Sequence, residues 1–388
     1  MTKGILGCDL NERYCQVSYY NEEQQEPQTL ENVTYPVQNL YEKAVRGESE
    51  EALRILMECV KQALDKFSKK EQLVFTVPKL NMDVVRMLKG IGQRLGIDKN
   101  SIYVQDYKES FCSYMLYQPK ELWQYEAALF SCDRHEVKAY MLRKLRTGYG
   151  RGKDAFITVD EVAQAQMEEL AAVYPVLNVD RAREADLRFK QFVQGVFDKK
   201  LVSSVFLIGE GFENSWYPQS LKVLCNGRRA FLGNNLYSKG ACYTAYKRAM
   251  QYEESFIYLD DTKMMDQICL KLRVQGKDKW YPIVPWGRRW YEADAQCEVL
   301  LENTDDIEIH IESLLGAEMR VERIPLLGLP KRTNYTLRLQ IKVMLIDEKR
   351  CRISLRDIGF GEFFPATDFC VEKDIQLGGS NEQFNSLS

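Results

Sequence analysis

Two hydrophobic periods divide this chain, and the switch between them limits it to an α/β part followed by a β part. From Ile5 to Leu116 short apolar runs alternate with helical stripes, whereas beyond about Tyr252 the stripes give way to alternation in twos. Ile5–Leu10 and Tyr14–Tyr20 read as two strands around the polar turn Asn11-Glu12-Arg13, a hairpin signal. Ser49 is a plausible N-cap for a helix whose Leu53, Leu56, Met57, Val60, Leu64 and Phe67 fall on one face. Leu73–Val77 is an apolar strand stopped by Pro78, and Asn81–Leu95 is a helix with Gly96 just past its end. Ser101–Val104 reads as the next strand and Ser110–Leu116 as the start of an aromatic-rich helix. Repeated strand and helix in this order imply an α/β layer fold.

Composition narrows the function classes. The 388 residues are enough for two or three domains with cores that need no staples. A formal net charge of −3 implies no nucleic-acid surface. The eleven cysteines contain no C-x-x-C pair and only His135 and His310 supply imidazoles, which disfavours a zinc site and fits a reducing compartment. Without a basic-then-apolar leader or a run of spanning length, the chain is expected to be soluble and cytoplasmic, with no membrane partner. The polar tail 377–388 is expected to be disordered.

Ser204–Tyr246 carries the sharpest local signal. SVFLIGEGF is a buried strand running into Gly209-x-Gly211, and NNLYSKGACYTAY is a helix rich in small residues that includes Ser238 and Gly240. Glycines at such a turn let a backbone approach a ligand closely, although most turns of this kind only pack a helix on a sheet.

In their order these segments resemble the ATPase domain of the actin and seventy-kilodalton heat-shock-chaperone superfamily. The run LVFTVPKLNMDVVRMLKGIGQRLGIDKNSIYVQDYKESFCSYML follows the family's strand, Val-Pro, helix, strand, helix sequence. GCDLNERYCQVSYY resembles the first phosphate loop, with Asp9 where the family has its magnesium-organising carboxylate. AALFSCDRHEVKAYML stands where the second loop belongs, and Ser204–Tyr246 resembles the adenosine motif. The resemblance implies an actin-like, ribonuclease-H-like fold over residues 1–254. It implies ATP or ADP as a ligand, held weakly by Asp9, Asn11, Gly209, Gly211, Ser238 and Gly240.

Departures fall on the phosphate side. The first loop has Asn11, Glu12 and Arg13 where the family has small residues, and Glu12 would repel a polyanion. Arg13 is expected to point to solvent. In the second loop Ser131-Cys132-Asp133-Arg134-His135-Glu136 replaces an aspartate and consecutive glycines, so the magnesium position is not kept. His135 in a charged turn has no nucleophile beside it, and no catalytic residue is assigned. Asp106 stands where the family has a glutamate that positions metal and water, with a shorter reach. Phosphoryl transfer rests on positioning and charge stabilisation, so losing both loops predicts no useful hydrolysis. Between the second loop and the adenosine motif, Thr158-Val159-Asp160-Glu161 matches a capping box and predicts a helix to Ala172, and Asp180–Phe197 predicts another.

Residues 255–266 read as a linker, and 267–376 as an antiparallel β-sandwich. Cys269–Val274, Ala295–Leu301, Ile307–Ile311, Met319–Ile324, Tyr335–Ile346 and Arg350–Asp357 are the expected strands, with Leu337, Leu339, Ile341 and Val343 in strict alternation. This part resembles the chaperones' substrate-binding domain without its helical lid. Trp280, Tyr281, Trp286, Trp290, Tyr291, Phe360, Phe363 and Phe364 either form an exposed peptide-binding surface, or fill the sandwich core or dock it against the first domain.

The sequence therefore predicts a chaperone-like polypeptide-binding or scaffold protein with a degenerate, non-hydrolysing ATPase domain. The alternatives are an active ATP-driven chaperone and an actin-like filament protein.

Overall fold

The computed structural model describes residues 4–47, 49–133, 136–145, 155–167, 179–212, 215–252, 256–260, 262–302, 304–314, 319–332, 336–347 and 349–378. The chain divides into two units, Met1–Lys144 with Ile157–Glu254, and Leu145–Phe156 with Ser255–Ser388.

The first unit contains one strand order twice. Its first half runs β1 (Gly4–Leu10), β2 (Tyr14–Asn21), β3 (Glu26–Thr29), β4 (Val33–Thr34), α1 (Leu40–Val45), α2 (Glu50–Leu64), β5 (Lys70–Val77), α3 (Met82–Arg94), β6 (Ile102–Asp106) and α4 (Tyr107–Leu116). The sheet order is β3-β2-β1-β5-β6, with β1 antiparallel to β2 and parallel to β5. The second half runs β7 (Glu126–Cys132), β8 (Glu136–Leu145), β9 (Ala155–Gln166), α5 (Val179–Phe197), β10 (Val202–Ile208), α6 (Pro218–Leu224), β11 (Arg229–Leu232) and α7 (Leu236–Met250). Here the order is β11-β10-β7-β8-β9, with β7 antiparallel to β8 and parallel to β10. In each half a three-strand meander is followed by two parallel strands on its first strand's free side. This doubled topology is a mixed α/β arrangement that resembles the actin-like fold expected from the sequence.

Local signals hold where the sequence is periodic. The Ser49 hydroxyl accepts from Ala52 N at 3.2 Å and Asn81 Oδ1 from Val84 N at 2.9 Å, so α2 and α3 start at their expected caps. Leu56, Val60 and Leu64 carry the α2 stripe into the core. α7 returns from the second half to lie against β1, β2, β5 and α4 of the first. Two glycines permit that approach. A Cβ on Gly7 of β1 would lie 2.1 Å from Cys242 N, and one on Gly240 of α7 2.0 Å from Ser110 O.

One helix expectation fails. Thr158–Glu161 belongs to β9, not to a helix start, and Val162, Ala163 and Ala165 pack against the core of the second half. A capping box is a local signal, and a place beside β8 in the sheet outweighs it. The rest of the expected helix, 168–172, lies outside the described residues.

The second unit contains β12 (Phe256–Leu259), β13 (Asp266–Val274), β14 (Lys277–Val284), β15 (Ala295–Leu300), β16 (Asp306–Ser313), β17 (Met319–Pro325), β18 (Arg338–Asp347), β19 (Arg350–Asp357) and β20 (Cys370–Gln376). The expected linker thus holds a strand, and β14 and β20 are additional to the expected set. Two four-stranded sheets form, β14-β13-β16-β17 and β15-β18-β19-β20, antiparallel throughout. Alternate residues of both, among them Ile268, Ile309, Ile311, Leu339, Ile341 and Ile353, meet in one buried cluster. The expected tail begins in order: Leu377 is buried and donates its N–H to Lys349 O, and Gly378 N donates to Asp266 Oδ2. Residues 379–388 lie outside the described residues.

Candidate functional site

The residues singled out from the sequence lie at the ends of β1 and β10 and along α7. Asp9, near the end of β1, is buried, with neighbours Gln16 on β2 and Thr76 on β5. Burial pushes its pKa up to about 7, against a smaller lowering effect of the neighbouring Tyr107 and Asn11 side chains. Its Oδ1 has no hydrogen-bond partner among the described residues. Asn11 closes its own turn, because its Oδ1 accepts from Arg13 N at 2.9 Å and Tyr14 N at 3.0 Å.

Arg13 corrects an expectation. Its guanidinium forms an ion pair with Glu210, in the short 3₁₀ turn Glu210–Phe212 that follows β10. The turn after β1 and the turn after β10 are therefore tied to each other by charge.

Gly209 and Gly211 face protein. Gly209 has φ +98°, a conformation in which glycine carries no strain, and a Cβ there would lie 2.1 Å from Cys132 O. A Cβ on Gly211 would lie 2.2 Å from Cys132 Sγ. Both close approaches are to the end of β7, and the Gly209 N–H donates to Asn234 Oδ1 at 3.1 Å. Ser238 is fully buried, with its hydroxyl 2.8 Å from Ser18 Oγ and 3.0 Å from Gln16 Oε1. Gly240 is the close contact between α7 and α4. Asp106 caps α4, accepting from Glu109 N at 2.8 Å. Arg134 and His135 lie outside the described residues.

Sequence reasoning missed the aromatic pair between these groups. Tyr107, at the start of α4, stacks on Tyr237, in the first turn of α7, with ring centroids 3.7 Å apart and planes at 10°. Tyr107 lies near enough to Asp9, and Tyr237 to Ser131 on β7, for each pair to influence the phenol's ionisation. Tyr237 is buried and Tyr107 partly so, and desolvation raises both phenol pKa values well above the usual range and keeps them neutral. No spacing signals a contact between residues 130 positions apart. Two stacked phenols thus lie between Asp9 at the end of β1 and Ser131 on β7. The side chains at the ends of β1 and β10 do not fit a polyphosphate, since the backbone of the first loop is folded on its own asparagine and the cation beside it is already paired.

In the second unit the aromatic residues divide between core and surface. Trp286 donates Nε1–H to Glu312 O and meets Phe156 edge-on, and Trp290 packs against the buried cluster. Trp280 and Tyr281 on β14, at a sheet edge, are 42% and 45% exposed, and Phe363, between β19 and β20, is 92% exposed. Among the described residues no helix is long and apolar enough to cross a membrane.

Comparison with known proteins gives two family matches. Residues 16–261 match the C-terminal part of a family of unknown function, DUF5716, and residues 263–377 match a domain of unknown function, DUF8552. No curated protein matches in sequence. Among solved structures, the chain is similar to a ROK-family transcriptional regulator, a homologue of the E. coli MLC protein. The identity is 8% and the TM-score 0.40, over 64% of this chain and 79% of that one. It is similar to an inorganic polyphosphate/ATP-glucomannokinase from Arthrobacter sp. strain KM at 10% identity and a TM-score of 0.42, over 65% of this chain and 100% of that one. The ethanolamine utilization protein EutJ from Carboxydothermus hydrogenoformans is similar at 10% identity and a TM-score of 0.37, over 61% of this chain and 88% of that one. The first family match takes in more than half of the 388 residues, all of β5 to β11 among them, and the chain belongs to the DUF5716 family.

Proposed function

We propose that this protein is a scaffold that binds extended polypeptide through its second unit, and that its actin-like unit does not hydrolyse ATP. The observation that carries the reading is the Arg13–Glu210 ion pair, which joins the two turns that would have to part around a phosphate chain. Close packing of Gly209 and Gly211 on Cys132 supports it, because the backbone approach that glycines would offer a ligand is taken by β7. Transition-state charge would meet neutral phenols and a paired arginine where a phosphoryl-transfer enzyme supplies free cations and metal.

For the second unit we infer a β-sandwich of chaperone type, from two antiparallel sheets around one buried cluster. β14 is an edge strand, so its outer backbone groups are available to pair with an extended peptide, and Trp280 and Tyr281 offer apolar contact beside them. A groove without a lid exchanges its occupant quickly. Localisation in the cytoplasm belongs to the same proposal.

Calorimetry and thermal shift with ATP and ADP, with and without magnesium, test the first half. Neither nucleotide should shift unfolding, and no phosphate should be released. Saturable stabilisation of about 2.7 kcal/mol at a hundredfold excess over Kd, with magnesium-dependent turnover, would reinstate the active chaperone. Fluorescence anisotropy with labelled apolar peptides tests the second half: binding should be micromolar or weaker and should fall on Trp280→Ala.

A further inference from the structure

A concavity lies at the other end of β10 from Gly209. It has a volume of about 380 Å³ and is lined by Glu121, Leu122, Ser203, Gly227, Arg228 and Arg229. Ser203 is near the start of β10 and Gly209 follows its end, so about 20 Å of strand separates the two places. The volume is at the small end of the range for ligand sites.

Arg228 is the unexplained group there. Its guanidinium lies over the Phe197 ring, 4.1 Å from the centroid, a contact that holds it in place. Its Nη1 is buried and has no hydrogen-bond partner among the described residues. A buried donor without an acceptor is costly, and a planar fork held in place by an aromatic ring is suited to two parallel bonds to an oxyanion. Desolvation accordingly lowers the Arg228 pKa from its ordinary value.

The neighbouring groups agree in kind. Arg229 adds a second guanidinium, and Glu121 offsets one of the two charges, which leaves a net single positive charge for an anion of low charge. Ser203 Oγ accepts from Tyr125 N at 2.9 Å, so its own O–H remains to donate. Lys144 and Lys200 belong to the same end of the second half-sheet. The pKa of each is lowered by burial first and then by a further cation, Lys120 and Arg143 respectively.

We propose that this concavity binds a small phosphate monoester, with the Arg228 fork on the phosphoryl oxygens and Arg229 and Ser203 flanking it. Three residues that carry donors line the one concavity, and its volume leaves room for an organic group beyond the phosphate. The site is independent of the scaffold reading, because it shares no residue with the Asp9, Arg13 and Glu210 group.

The test uses the full chain, with inorganic phosphate and glycerol 2-phosphate as probes and sodium chloride at matched ionic strength as control, followed by calorimetry and amide chemical shifts. Saturable binding of glycerol 2-phosphate is expected, with shifts around residues 203 and 227–229. Arg228→Gln should weaken it by about tenfold or more. Arg229→Gln changes an exposed side chain and leaves the fold intact, and it should weaken binding severalfold. Arg13→Ala should leave affinity unchanged. No binding above the salt control would overturn the proposal, as would binding insensitive to both Arg228→Gln and Arg229→Gln. Loss of binding in Arg13→Ala would move the site to the cleft and equally overturn it.

Discussion

Arg13, in the turn after β1, forms an ion pair with Glu210, in the turn after β10, and so couples the two halves of the doubled sheet at their adjoining strand ends. The side chains are 43% and 27% exposed, so solvent screens the attraction. A double-mutant cycle with Arg13→Ala and Glu210→Ala, followed by urea unfolding, should give a coupling of no more than about 1 kcal/mol. A larger value would mean that the pair holds the halves together and does not merely occupy the space between two turns.

Gly209 should tolerate no side chain. Gly209→Ala meets both φ +98° and the Cys132 carbonyl, and it should lower unfolding free energy by about 1–3 kcal/mol. Gly90→Ala in α3 provides the control, since a Cβ there has nothing within 4 Å and should stabilise by up to about 1 kcal/mol. Equal effects of the two substitutions in denaturant titrations would contradict the close packing of Gly209 on β7.

Asp9 sets a pH dependence of definite sign. Desolvation raises its pKa from 3.8 to about 7 in the folded chain, so between those values the unfolded state ionises while the folded state stays protonated. The unfolded state then binds fewer protons, and this residue's contribution to stability falls as pH rises from about 4 to about 7, then levels. Asp9→Asn removes the penalty. The variant should match the parent near pH 4 and exceed it near pH 8 by on the order of a few kcal/mol, read from urea midpoints. A gain that does not change with pH would rule out a raised pKa at this position.

Asp357 does the opposite in the second unit. Burial raises its pKa, but hydrogen bonds from Gly359 N, Thr367 Oγ1 and Thr367 N, with the Arg332 charge, outweigh that and hold it below the usual carboxylate range. Its contribution is present above the unfolded pKa and is lost as pH falls through the lower folded value. Arg332 Nη2 is 3.0 Å from Asp357 Oδ2, with side chains 9% and 0% exposed, so Asp357→Ala leaves an arginine with little water to replace its partner. The expected loss is about 3–5 kcal/mol. A loss under 1 kcal/mol by calorimetry would show that the cluster adds little.

Much of the first unit was legible because its signals are local. Ser49, Asn81 and the α2 stripe are set by capping and by period, and both act within a few residues. The same locality misled at Thr158–Glu161, where a capping-box pattern lies in β9. β14 and β20 escaped notice because Lys277–Tyr281 and Cys370–Lys373 are largely exposed and carry little apolar alternation.

By itself the sequence determined the doubled alternation of strands and helices, the change to β structure, and the scarcity of small residues in the turns after β1 and β7, because period and residue type are properties of neighbours along the chain. Tertiary structure alone decided that Arg13 meets Glu210, that Gly209 packs on Cys132, that Tyr107 stacks on Tyr237, and that Asp9 is buried deeply enough to hold its proton near neutral pH. Each of the three contacts joins residues far apart in the chain, and the protonation follows from desolvation, which exists only once the sheet has closed over the carboxyl.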